Sequence, residues 1–130
     1  MTGIEWARDA YTRYSARDFS FVDAFTDDVH WHVPDPANPE LHGRDQVLAF
    51  FNGLAQGFSA HTLELVDAAQ TGDTLACRVV HTFTRHDGGG GKVDATHWWR
   101  FRDGRVAAMY EIADTMAVAH AFGMLEAPGA

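Results

Sequence analysis

Apolar side chains near the N-terminus recur at Ile4, Ala7, Tyr11 and Tyr14, which lie on one face of a helix. Thr2 and Glu5 have the spacing of a capping box and would start that helix. A short second helix is expected in "DFSFVDAF", with Asp18 as its cap and Val22 and Phe25 facing inward. The period then changes. "VHWHV" alternates strictly, with Val29, Trp31 and Val33 on the buried side of a strand and His30 and His32 facing outward. A third helix is expected over roughly residues 45–54, where Val47, Phe50, Phe51 and Leu54 form an apolar stripe.

Strand patterns fill the second half. "TLELVDAA", "TLACRVVHTFTRH", "KVDATHWWRF" and "RVAAMYEIA" are separated by the turn signals "TGD", "DGGGG" and "RDG". Leu75, Cys77, Val79, His81 and Phe83 share one face of the second of these. Asp114 can cap a last short helix that Gly123 ends. Helices followed by antiparallel strands predict a single α+β domain over residues 1–130. Three N-terminal helices would cover one side of a curved sheet, with a small-molecule pocket between them.

Composition narrows the function. The formal charge of −8, with ten scattered basic residues, excludes a nucleic-acid partner. A lone cysteine, Cys77, excludes an internal disulfide and fits a reducing compartment. Neither a basic, apolar leader nor a run of about 20 apolar residues is present, so a cytoplasmic domain without membrane contact is expected. Nine Phe, four Trp and three Tyr are more aromatics than a chain of this size needs and suit a core or a lined cavity.

Three stretches carry a family resemblance: "DDVHWHVP", "GRDQVLAFF" and "FRDGRVAAMYEIADT". In order and extent they resemble the SnoaL-like branch of the nuclear transport factor 2-like superfamily. That resemblance implies a six-stranded sheet wrapped into a cone against three helices, usually in a homodimer. Relatives include ketosteroid isomerase, polyketide aldol cyclases, limonene-type epoxide hydrolases, scytalone dehydratase and members without known catalysis. The resemblance implies no metal and no organic cofactor.

His30 and His32 project to one side of their strand and could share an ion, but a third and fourth ligand are missing, so no metal is expected. "VPDP" resembles the segment that carries the general base of ketosteroid isomerase, which makes Asp35 a candidate base in a proline-stiffened loop. SnoaL-like cyclases pair a His with an acidic residue fourteen positions later, and His97 and Glu111 keep that spacing. A three-residue "RDG" loop would set His97 opposite Met109, with Glu111 diagonal to it on the same face. A two-residue turn would send Glu111 to the other face. An apolar cavity would raise the proton affinity of Glu111 and lower that of His97, and their mutual attraction would oppose both shifts.

Tyr14 matches the oxyanion-donating Tyr of ketosteroid isomerase, with Tyr11 as its substitute one turn earlier. His81 should point into the same interior, and Trp31, Phe51 and Trp99 are candidate walls. The expected activity is cofactor-independent acid–base chemistry, isomerisation or aldol-type cyclisation, on a hydrophobic polycyclic or polyketide-like carbonyl compound. Glu111 or Asp35 would be the base, and His97 with Tyr14 the donors. Epoxide hydrolysis or dehydration on the same fold, and ligand binding without catalysis, are the alternatives.

Overall fold

The computed structural model describes residues 3–34 and 40–125, so Thr2 and Asp35 lie outside the described residues. The chain forms helix α1 (Gly3–Ser15), a 3₁₀ turn (Ser20–Ala24), strands β1 (Phe25–His32) and β2 (Glu40–His42), and helix α2 (Arg44–Gly57). Strands β3 (Ala60–Thr71), β4 (Thr74–Thr84), β5 (Gly90–Arg102) and β6 (Arg105–Ala113) follow, then helix α3 (Thr115–Ala121).

The strands make one mixed sheet in the order β2-β1-β6-β5-β4-β3. β1 and β6 are parallel, as the long crossover between them requires, and the other neighbours are antiparallel. Because β2 and β3 lie at opposite edges, the sheet is open. Bulges bend it locally, between Leu65 and Asp67 and between Arg100 and Phe101. The strongly curved cone expected from the resemblance is therefore corrected to an open mixed sheet, since each bulge bends a strand pair and not the whole layer.

Two α-helices come from the N-terminal half and the third from the C-terminal end. The second expected helix is only a 3₁₀ turn: Asp18 Oδ1 accepts the Ser20 amide at 3.0 Å, and the chain enters β1 directly at Phe25. α1 buries Ala7, Ala10, Tyr11 and Tyr14, and α2 buries Val47 and Phe51. These meet the inward residues Phe25, Val29, Trp31, Leu75, Val79, Val106 and Met109 of the sheet in the main core. Burying each such Val, Leu or Phe stabilises the fold by about 1.5–3 kcal/mol. A second cluster of Phe58, Phe83, Val93, Val118 and Ala121 seats α3 on the sheet. Asp114 caps α3 by accepting the amides of Met116 and Ala117, each at 3.1 Å. Among the described residues no helix is long and apolar enough to cross a membrane.

Candidate active site

Asp103 and Gly104 both have positive φ, 52° and 76°, so β5 and β6 join through a two-residue turn that pairs Arg102 with Arg105. This corrects the three-residue loop expected from "RDG". Continued at that register, the ladder would turn Glu111 outward. The bulge prevents this. Phe101 pairs with Val106, but Arg100 pairs with Ala108, which brings His97 directly opposite Glu111. The two are thus face to face, not diagonal, and Met109 pairs with Trp99 instead.

Glu111 Oε2 is the meeting point of two hydrogen-bonded arms. In one, His97 Nε2 bonds Oε2, and His97 Nδ1 lies 2.8 Å from the Tyr11 hydroxyl, which accepts Trp99 Nε1–H at 2.9 Å. In the other, His81 Nε2 lies 2.7 Å from Oε2, His61 Nε2 lies 2.8 Å from His81 Nδ1, and the Tyr14 hydroxyl lies 2.8 Å from His61 Nδ1. His81 on β4 reaches Glu111 on β6 across β5, where the inward residue beside His97 is Ala95, too short to block them. Tyr11 is therefore the partner of His97, and Tyr14 ends the longer arm.

One assignment of protons satisfies every bond. With Glu111 ionised and the three imidazoles neutral, His97 and His81 donate Nε2–H to the carboxylate. Tyr11 donates to His97 Nδ1, His61 to His81 Nδ1, and Tyr14 to His61 Nδ1. Burial opposes the charge on Glu111, but the N–H dipoles that His97 and His81 aim at it outweigh burial and hold the carboxyl well below its usual range. Burial first, then the neighbouring His81, pushes His61 well below the ordinary histidine value. Burial raises both tyrosines, so they remain phenols, and pushes the Cys77 thiol beside Tyr11 up to about 11, which rules it out as a thiolate nucleophile near neutrality.

These groups form the polar side of a pocket between the sheet and the helices, with about 750 Å³ of empty space including its solvent-open mouth. Tyr11, Trp31, Phe51, His81 and Trp99 line it, as do Tyr14, His61, His97 and Glu111. Trp31 Nε1 is buried there without a hydrogen-bond partner among the described residues.

The family model for the SnoaL-like domain matches residues 7–109. The chain belongs to the SnoaL-like family. No curated protein sequence matches it. Among solved structures, this SnoaL-like domain is similar to an NTF2-like protein of unknown function from Burkholderia pseudomallei, with 23% identity, TM-score 0.84, and coverage of 94% of this chain and 98% of that one. It is similar to IdmH, a candidate polyketide cyclase from Streptomyces antibioticus, with 22% identity, TM-score 0.78, and coverage of 95% and 99%. AclR, a candidate hydroxylase from Streptomyces galilaeus, shows 16% identity, TM-score 0.78, and coverage of 95% and 86%. At these identities the likeness is one of fold.

In this SnoaL-like domain the sequence reading missed His61. Its signal was available: His61, Leu63 and Leu65 alternate inward along β3, on the side that carries His81 in β4. Arg78 and Arg100 are exposed, and among the described residues the pocket lining contains no Arg or Asn. His81, His97 and Glu111 bring ligand atoms within 4.8 Å of one another, near enough for one ion. The same atoms make the hydrogen bonds above.

His30 is half-buried, and the His32 side chain is only 15% exposed, because it stacks on Tyr110 with ring centroids 4.3 Å apart. Both lie on the outer face, as alternation predicts, with the His30 side chain 41% exposed; only the solvent exposure expected of His32 is corrected. The missing carboxylate is corrected too: β2 lays Glu40 alongside both histidines.

Proposed function

We propose that this SnoaL-like domain is an acid–base enzyme acting on a hydrophobic, ring-containing carbonyl compound, by isomerisation or aldol-type cyclisation. One observation carries the reading: two hydrogen-bonded arms start at tyrosine hydroxyls in an aromatic pocket and converge on one buried carboxylate oxygen.

In this reading the tyrosines touch the substrate and Glu111 is the proton sink behind them. When Tyr14 takes a proton from the substrate, its own passes to His61 Nδ1. His61 then gives its Nε2 proton to His81, and His81 gives its Nε2 proton to Glu111. The substrate has lost one proton, Glu111 has gained one, and each imidazole has exchanged tautomers. Tyr11 and His97 offer the same transfer over a shorter path. A proton stored on Glu111 can return along the same path, which suits an isomerase or cyclase that must hand it back. The apolar walls favour a ring-containing substrate, and the buried Trp31 Nε1–H is a ready donor for its oxygen. Among the described residues Glu111 is the pocket's carboxylate, whereas epoxide hydrolysis needs a second one and a positioning Arg or Asn. The outer face, where Trp98, Tyr110 and Ile112 are exposed, suits a second copy of the chain.

The test is a panel of aromatic polyketides and steroid enones incubated in deuterated water with wild type and Glu111→Gln. Wild type should accelerate exchange beside a carbonyl for at least one compound, and the variant should lose that exchange by about 10²–10⁴-fold. Binding without exchange in the wild type, or equal exchange in both proteins, would sink the proposal and leave a ligand-binding domain.

A further inference from the structure

The His-x-His pair of β1 is not used by the pocket. Trp31 points inward between the two histidines, and its cross-strand partner Leu41 packs against the same core. That anchors the register of β2, with His30 opposite His42 and His32 opposite Glu40. Because side chains alternate along a strand, all four polar residues share the outer side of the hairpin.

Their geometry is that of a ligand set. The donor atoms of His30, Glu40 and His42 all lie within 4.8 Å of one another. His30 Nε2 is 3.8 Å from Glu40 Oε2, and the imidazoles of His30 and His42 stack with centroids 4.9 Å apart and planes 17° from parallel. Ligands about 2.0–2.2 Å from one ion stand roughly 3.3–3.6 Å apart in a tetrahedral site, so small side-chain rotations close the remaining distance. The second carboxylate oxygen, Glu40 Oε1, is 3.3 Å from His32 Nδ1, an atom that makes no hydrogen bond among the described residues. His32 is held by its stacking on Tyr110 and can therefore aim Glu40, as neighbouring groups commonly do for metal-bound carboxylates.

We propose that His30, Glu40 and His42 bind one divalent transition-metal ion, with zinc the best match, and that His32 is a positioning residue for Glu40. Two imidazoles and a carboxylate favour zinc, copper or nickel over magnesium or calcium, which prefer all-oxygen sets. Three protein ligands leave a fourth position open to water. Bound there, the ion ties the three-residue edge strand β2 to β1. Val33 and Pro34, the next residues after His32, line the pocket, so the clamp sits beside it.

Calorimetric titration of the 130-residue chain with Zn²⁺ tests this. Wild type should bind one ion per chain, unaffected by excess Mg²⁺. His30→Ala, His42→Ala and Glu40→Gln should each weaken binding by about tenfold or more, the last with almost no change of shape. His120→Ala, at an exposed histidine on α3, should change nothing. Glu111→Gln, which dismantles the buried cluster, should also leave the titration unchanged. Co²⁺ should give a ligand-field absorption band that disappears in the His30→Ala/His42→Ala double variant. Absence of saturable Zn²⁺ binding in wild type, or binding that survives in the double variant, overturns the proposal.

Discussion

His97 and Glu111 face each other directly across β5 and β6, in a register that neither the hairpin turn nor strand alternation sets alone. The two-residue turn moves the ladder one way and the bulge beyond it restores Glu111 to the pocket side. Removing the bulge residue Ala107 should therefore turn Glu111 outward, unless the turn absorbs the deletion. The expected result is loss of the His97–Glu111 hydrogen bond, read from imidazole ¹⁵N shifts; unchanged shifts would show that the bulge is dispensable.

Gly104 at φ 76° supports the same register. Gly104→Val places a β-branched residue in the left-handed region and should cost about 1–2 kcal/mol of stability in urea unfolding. A neutral effect would mean that the turn relaxes to another type.

Glu111 and His61 both have lowered proton affinities in the folded state, and the sign is the same for each. The unfolded chain binds more protons, so stability is complete above the unfolded value and falls with acid. The His61 contribution should fade as pH drops below its ordinary value of 6.5, and that of Glu111 as pH drops below 4.5. His61→Gln should flatten the first decline while leaving the second, measured by denaturant midpoints across pH. An unchanged first decline would assign it to another group.

The two tyrosines should separate. Tyr11→Phe strands both Trp99 Nε1–H and His97 Nδ1 and should cost about 1–3 kcal/mol, whereas Tyr14→Phe strands only His61 Nδ1 and should cost less. Equal losses would contradict the branching of the network at Tyr11.

If a second copy covers the outer face, Trp98→Lys together with Tyr110→Lys should shift the chain toward monomer in sedimentation velocity, without changing the pocket. Identical sedimentation of variant and wild type would exclude that face as the interface.

Much of this was legible in the residue pattern. Helical spacing placed Tyr11 and Tyr14 on the inner face of α1, and alternation placed Trp31, His81 and His97 toward the interior. The resemblance paired His97 with Glu111. The structure decided which inward groups meet: Tyr11 with His97, Tyr14 with His61, and His81 with Glu111 across an intervening strand. Glu40 and His42 reach His30 only because β2 folds back on β1.

The division has a physical cause. The face on which a side chain lies follows from a local period, 3.6 or 2 residues, which a sequence carries openly. Which side chain opposes it depends on register, and register is summed over turns, bulges and core contacts far along the chain. By itself the sequence determined most of the elements and their buried faces; a single bulge in β6 and one short edge strand decided the chemistry those faces present.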